Sequence, residues 1–332
     1  MSEKVVRFGI LGCANIARKI SRAITLAPNS TLYAIGSRSI EKALAFASEN
    51  GFPPSAKVYG SYEAVLDDPD VDAVYVPLPT SLHLRWIVLA AEKKKHVLLE
   101  KPAALNVAEL DAILEACDSN GVQFMDATMW MHHPRTVRMR ELLSDKQRFG
   151  QLKSPDLDAL GALGDVGWYC IGAILWAADY ELPKTALALR QPEFNEAGVI
   201  LSCASSLYWE DGKIATFYCS FLTNLTMDLT LLGTLGNLYL HDFVVPFQES
   251  VASFYASSQF SLPAPSEHAV MAELPQEAVM VGEFAGLVGS IEGDDGSEPE
   301  KKWPLLTRKT QLVLDAVQRS IERGFEPIDV VR

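Results

Sequence analysis

Through about residue 125 the chain alternates short β-rich runs with helix-patterned stretches, and no other feature narrows its fold as much. Val5 to Leu11 is an apolar run, followed by helical spacing from Ile16 to Leu26. Thr31 to Gly36 is extended. Ser39 is placed to cap a helix over Ile40 to Glu49, its hydroxyl accepting an otherwise unpaired first-turn N–H. Val71 to Val76, Val97 to Leu99 and Val122 to Met125 read as three further buried strands, with helical patterns over Leu82 to Glu92 and Val107 to Ser119 between them. Strand–helix alternation requires crossover connections, which give parallel strands with helices on both faces. The expectation is an α/β domain built on a doubly wound parallel sheet over residues 1–126, the architecture of nucleotide-binding domains.

The pattern changes after about residue 150. Val199 to Trp209 and Ile214 to Phe221 flank Glu210-Asp211-Gly212-Lys213, an Asp-Gly hairpin signal. Met227 to Leu232 and Leu238 to Leu240 flank a second tight turn, Gly233-Thr234-Leu235-Gly236. Helical patterns precede these runs (Val166 to Ala177) and follow them (Gln276 to Val288, Leu306 to Arg323). Residues 127–332 are therefore expected to form an α+β domain with a mostly antiparallel sheet, placed where a substrate domain usually sits; its role in oligomerisation is what the family resemblance described below implies. Its terminal helix is free to pack back on the first domain.

Composition limits the partners. A chain of 332 residues with 48% hydrophobic and 21% charged residues can fill two cores, which excludes disorder. With 29 basic against 42 acidic residues, the net charge of −13 disfavours nucleic acid and anionic membrane. No apolar run approaches the roughly 18 residues of a membrane span, and the first residues lack a secretory pattern. Five cysteines, odd in number and without CxxC spacing, read as reduced thiols in a cytoplasmic protein. His132 and His133 are adjacent, share no helix face and have no evident third ligand, so no metal is expected. Arg135, Arg138 and Arg140 read as a solvated helix face.

Three motifs carry chemistry. Gly12-Cys13-Ala14-Asn15-Ile16-Ala17 lies between a strand and a helix and fits GxGxxG/A at its first and last positions, with Ala14 where the second glycine usually stands. Gly12 permits the turn, a small residue at 14 lets the backbone approach a pyrophosphate, and the N–H groups at Asn15 and Ile16 open the helix toward the anion. The second strand ends at Ser37-Arg38 with no acid to bind both ribose hydroxyls. The hydroxyl of Ser37, the guanidinium of Arg38 and Lys42 one turn later suit a 2′-phosphate, which favours NADP(H) over NAD(H). Glu100-Lys101-Pro102 follows the strand Val97 to Leu99, so Lys101 stands at the sheet edge where open α/β folds bind ligands. Its ammonium there could polarise a substrate oxygen, although a surface ion pair with Glu100 explains the same residues.

The Gly12 turn, Pro77-Leu78-Pro79-Thr80 with His83, and Glu100-Lys101-Pro102 together resemble the glucose–fructose oxidoreductase / inositol dehydrogenase / rhizopine-catabolism (Gfo/Idh/MocA) family. Met129-Trp130 with Pro134, Gly164-Asp165-Val166-Gly167-Trp168-Tyr169, the Gly233 turn and the helix containing Thr310 to Val317 extend the resemblance over essentially the whole chain. It looks closest to uncharacterised plant members and to dihydrodiol dehydrogenases. The resemblance implies a Rossmann domain holding NADP or NAD, with Leu78, Thr80 and His83 beside the cofactor and Glu100 and Lys101 at the nicotinamide. It further implies that Asp165 and Tyr169 act on substrate and that Trp130 and Trp168 wall its pocket. At i and i+4 on a helix, Asp165 and Tyr169 would share one face, and a phenol near a lysine can serve as general acid. A helix cap for Asp165 and a core aromatic for Tyr169 are the simpler alternatives.

One segment departs from the family pattern. Gly150 to Ser154 resembles the start of the first strand of the relatives' second sheet, but Pro155 to Leu163 leads almost at once to the Asp165 helix. Proline has no N–H for a ladder. Either a strand and part of the pocket wall are lost, or residues are missing from the chain between these points. The leading expectation is an NADP(H)-dependent oxidoreductase interconverting a secondary alcohol and a ketone on a sugar-like, polyol or cyclic diol substrate, with a homodimer through the C-terminal sheet. A non-catalytic NADP-binding scaffold or sensor, and a redox-assisted lyase or glycosidase, are the alternatives.

Overall fold

A computed structural model of the chain describes residues 4–159, 163–224, 226–258, 265–292 and 297–331. The chain divides into two compact units: Met1–His132 with Leu274–Arg308, and His133–Glu273 with Lys309–Arg332. The expected boundary after residue 126 is thus displaced, and the chain returns to the first unit before it ends.

The first unit contains β1 (Val6–Leu11), α1 (Asn15–Leu26), β2 (Ser30–Gly36), α2 (Ile40–Glu49), β3 (Lys57–Tyr59), α3 (Tyr62–Asp67), β4 (Ala73–Val76), α4 (His83–Glu92), β5 (His96–Leu99), α5 (Val107–Asn120) and β6 (Phe124–Asp126). Its six strands are all parallel in the order β3-β2-β1-β4-β5-β6. The order reverses between β1 and β4, the switch point at which a crevice opens beyond the strands' carboxyl ends. Every residue of β4 and β5 is buried, as expected of strands covered on both faces. Helix starts follow local chemistry: Ser39 accepts the Lys42 N–H (3.3 Å) and Asn106 accepts the Glu109 N–H (3.0 Å).

In the second unit, α6 (Pro134–Ser144) and α7 (Gly167–Ala177) accompany β7 (Leu152–Ala159), β8 (Thr185–Ala188), β9 (Glu193–Phe194), β10 (Ile200–Tyr208), β11 (Ile214–Ser220), β12 (Met227–Gly233), β13 (Gly236–Leu240), β14 (Val251–Ser258), β15 (Ser266–Met271) and β16 (Ile328–Asp329). They form a sheet ordered β15-β14-β13-β12-β7-β11-β10-β8-β16, with β9 paired to β10. All pairings are antiparallel except β7 with β11. Helix α6 packs on β14 and β15, and α7 on β7 and β11.

The expectation of a lost strand is corrected here, because β7 occupies the middle of this sheet. Pro155 lies opposite Leu231 of β12, and pairing with β11 begins only at Asp156. The proline therefore precedes the stretch bonded on both sides, and its missing N–H interrupts the ladder at one position. The rest of that expectation, the short connection onward, falls at 160–162, outside the described residues.

Two helices complete the description: α8 (Gln276–Glu292) and α9 (Lys302–Glu322). Helix α8 packs on α1, β1 and β2 of the first unit. Lys19 pairs with the buried Glu277 at 3.2 Å, and the Asn29 amide donates to the Gly282 carbonyl at 2.9 Å. The start of α9 is tied to the same unit, where Arg308 grips Asp111 (2.6 and 3.0 Å) and Thr307 donates to Asp126. Among the described residues no helix is long and apolar enough to cross a membrane.

Candidate functional site

The phosphate turn follows β1. Gly12 has φ +112°, its N–H donates to the Gly36 carbonyl (2.8 Å), and a Cβ there would lie 3.2 Å from Leu78 Cδ2. Only glycine is relaxed in that backbone region, and Leu78, itself buried, packs against its bare Cα. Ala14 is the extended N-cap of α1, with no side-chain hydrogen bond and no acid in the first turn. The opening N–H groups at Asn15 and Ile16 thus face no internal carboxylate that would compete with an anion.

Beside this turn lies the end of β2. Ser37 is buried, its N–H donates to the Tyr59 carbonyl (3.1 Å) and its hydroxyl accepts from the Ser39 N–H (3.4 Å). The Cys13 thiol donates to the Lys42 carbonyl at 3.7 Å, which brings the first turn of α2 onto the phosphate turn. Burial raises the Cys13 pKa, while a hydrogen bond with Ser37 and the Lys42 charge pull it down. Gly12, Ala14, Ser37 and Lys42 are therefore neighbours. Arg38 is exposed and has neither a hydrogen bond nor an ion pair among the described residues.

The ends of β4 and β5 carry the lysine loop. Thr80 is half-buried and opens a single 3-10 turn, Thr80–Leu82. His83 is buried, with Nδ1 3.0 Å from the Ala103 carbonyl and Nε2 2.7 Å from the Leu78 carbonyl. Burial lowers its pKa against the pull of those carbonyls. Both ring nitrogens are engaged within the unit, and the imidazole ties the Leu78 segment to Ala103. Glu100 is also buried. One carboxylate oxygen accepts from the Tyr75 phenol (2.5 Å) and the other from the Lys101 N–H (3.2 Å). Burial raises its pKa, against the Tyr75 bond and the Lys101 charge. Lys101 is half-buried, and its peptide bond to Pro102 is cis.

In the second unit, Asp165 is exposed in the turn before α7, which starts at Gly167 behind Val166 as N-cap. The N-cap of α7 is Val166 and not Asp165, and Asp165 lies outside the helix that carries Tyr169, so the two do not share one helical face. Tyr169 is half-buried in the first turn of α7. Trp168 and Trp130 are 1% and 0% exposed; neither offers surface to a substrate, and packing accounts for both.

The basic run needs correcting at Arg135, while Arg138 is exposed as expected. Arg135 is buried, paired with Asp242 and donating to the Asp242 carbonyl at 2.9 Å. Arg138 pairs with Glu141 (2.5 Å), and Arg140 donates to the Trp176 carbonyl (2.5 Å). His132 Nδ1 lies 2.8 Å from Glu283, while His133 accepts the Arg135 N–H at 2.9 Å. No group of metal-holding side chains occurs among the described residues. Sequence reasoning missed Tyr75. Its signal was a phenol inside the otherwise apolar strand Ala73–Val76, where a buried hydroxyl needs a partner.

A model of an oxidoreductase family with an NAD-binding Rossmann fold (Gfo/Idh/MocA) matches residues 6–128. The uncharacterized oxidoreductase ORF334 of Rhizobium meliloti is 31% identical over 343 residues, covering 96% of this chain and 98% of its own. D-xylose 1-dehydrogenase (NADP(+)) 2 of Haloferax volcanii is 34% identical over 253 residues, 70% of this chain and 74% of its own. KijD10, a 3-ketoreductase from Actinomadura kijaniata solved with TDP-benzene and NADP, superposes with a TM-score of 0.82 at 25% identity, covering 95% of this chain and 97% of that one.

Proposed function

The chain belongs to the Gfo/Idh/MocA oxidoreductase family, and from that premise we propose that it interconverts a secondary alcohol and a ketone on a sugar-like, polyol or cyclic diol substrate, with NADP(H) preferred over NAD(H). The observation that carries the cofactor preference is Arg38, an exposed guanidinium with no partner among the described residues, next to Ser37 and one turn from Lys42. Such a group is free to clamp a 2′-phosphate, and neither Ser37 nor Arg38 is an acid that would bind both ribose hydroxyls. The Haloferax relative is named for NADP(+) and a sugar, and KijD10 was solved with NADP; both support the same reading.

NADP(H), when bound, supplies or accepts the hydride at its nicotinamide. The uncapped start of α1 and the Gly12 turn fit its pyrophosphate, because donors are available and no side chain intrudes. Tyr169 gives its phenolic proton to the carbonyl oxygen during reduction and recovers one from the hydroxyl during oxidation. Lys101 stabilises the charge that develops on that oxygen, and Asp165 orients the substrate hydroxyls. With β7 present, the scaffold reading loses the missing strand on which it rested. The five cysteines are free thiols, which suits a cytoplasmic location. The open face of the ten-stranded sheet is the surface through which two copies would pair.

Fluorescence titration with NADPH and NADH, on the natural chain and on Arg38→Ala, tests this. We expect Arg38→Ala to weaken NADPH by about tenfold or more, the value of one charge-assisted contact, with NADH little changed. Tyr169→Phe should then bind NADPH normally but lose turnover in a carbonyl screen. No binding of either nucleotide sinks the oxidoreductase reading.

A further inference from the structure

We propose that Tyr75 is a positioning residue for the lysine loop: its hydroxyl donates to the buried Glu100 carboxyl, and that carboxyl holds the Lys101 main chain in place. The inference rests on the reading of Lys101 as a residue that meets the nicotinamide and substrate.

The geometry is compact. Tyr75 is wholly buried in β4, in register with Leu98 of β5, one strand across from the chain that becomes the lysine loop. The Glu100 N–H donates to the Val76 carbonyl at 3.2 Å, so the residue that bears the carboxylate is anchored to the strand that bears the phenol. From there the side chains close a relay. The phenol donates to one carboxylate oxygen at 2.5 Å, and the other oxygen receives the Lys101 N–H at 3.2 Å. On the far side of Pro102, His83 reaches the Ala103 carbonyl at 3.0 Å, so Lys101 lies between two fixed points.

A carboxylate in such a place is poised to take up a proton. Burial favours its neutral form, and Asp126 on β6 acts in the same direction. The Tyr75 hydrogen bond, the Lys101 ammonium and the Lys101 N–H favour the anion. Once neutral, Glu100 is a weaker acceptor, and its grip on Lys101 loosens. A phenylalanine at 75 would fill the same space without donating to Glu100.

Tyr75→Phe isolates that bond. Bound NADPH reports the nicotinamide environment through its emission, so affinity and emission are measured at about pH 6 and about pH 8.5 for the natural chain, Tyr75→Phe, Glu100→Gln and Lys101→Met. We expect the natural chain to change little between the two, and Tyr75→Phe to match it at the higher pH. At the lower pH, Tyr75→Phe should bind about fivefold more weakly, with altered emission. Glu100→Gln, neutral throughout, should be weakened at both. Tyr75→Phe that follows the natural chain at both pH values, or is weakened equally at both, overturns the proposal, since an equal loss is what a packing defect gives. A Lys101→Met variant with unchanged NADPH emission would instead overturn the reading of Lys101 on which the proposal depends. Thermal melts confirm that each variant is folded.

Discussion

Two histidines in this chain use one device. His96 Nδ1 accepts the Gln123 N–H at 2.8 Å, and His133 Nδ1 accepts the Arg135 N–H at 2.9 Å. An imidazole can accept only while neutral, so protonation both buries a charge and breaks a bond. Burial, the largest cause in each case, drives both pKa values down to about 4, with Lys4 near His96 and Arg135 near His133 adding to it. The sign follows. The folded value lies below the unfolded value of 6.5, so the stabilisation is complete above pH 6.5 and is lost as pH falls from there to about 4. At about pH 5 each histidine should have lost about 2 kcal/mol. Urea unfolding at pH 7 and pH 5 reads this directly. His133→Asn keeps a capping acceptor without a titrating ring and should recover part of the loss. A stability that is flat across the interval, or a variant as acid-sensitive as the natural chain, would contradict it.

Elements were legible where a local pattern sufficed. The strands β1, β2, β4, β5 and β6 are runs of apolar residues between helical periods, and a buried parallel strand needs nothing more to be read. The short β3 and α3 left too few residues for a period. Strand β7 was missed for another reason: Pro155, Asp156 and Asp158 give no strand pattern, and pairing with β11 and β12, distant in sequence, places it. The candidate site divides the same way. Gly12, Ser37, Arg38 and Lys42 could be read from motif chemistry, whereas the burial of Trp130, Trp168, His83 and Arg135 depends on what packs around them. The Gly233 turn shows how a correct element can have an unexpected cause. Gly233 has no left-handed backbone; a Cβ there would instead strike the Phe149 carbonyl and ring. The same two segments are joined by Thr234 N–H to the Gln151 carbonyl (3.0 Å) and Gln151 N–H to Thr234 Oγ1 (3.1 Å). Gly233→Ala should therefore push the β12–β13 hairpin off the turn that leads into β7 and destabilise the chain by about 1–3 kcal/mol in urea melts. An unchanged midpoint would show that the hairpin has room to move.

At the scale of the molecule, a chain with net charge −13 pairs with its own copies only where apolar contact outweighs charge repulsion. One face of the ten-stranded sheet carries apolar and aromatic side chains among its charges. Strand alternation turns Phe217, Cys219, Leu229 and Leu231 into the core, so their neighbours Thr216, Tyr218, Thr230 and Leu232 look outward from the opposite face. Ile214, Tyr218 and Leu232 remain 43%, 36% and 42% exposed there, and Tyr239 stacks on Tyr255 with ring centroids 5.1 Å apart. Asp228 and His241 answer one another at 2.5 Å, while Asp156 and Asp158 of β7 stand in register with Thr216 and Tyr218, and Glu267 of β15 with Tyr255. A two-fold axis is the simplest way for identical chains to bury the apolar part of such a face. Two copies meeting across it should bury roughly 1,200–2,000 Å², enough for a stable dimer. Sedimentation velocity is expected to give twice the chain mass, and Tyr218→Asp combined with Leu232→Asp should halve it by placing unpaired charges at the centre of the contact. Because that face lies on the side of the sheet away from α6 and α7, the double variant should still bind NADPH with unchanged affinity. A natural chain that sediments as a monomer would leave this face unpaired and remove the dimer from the account.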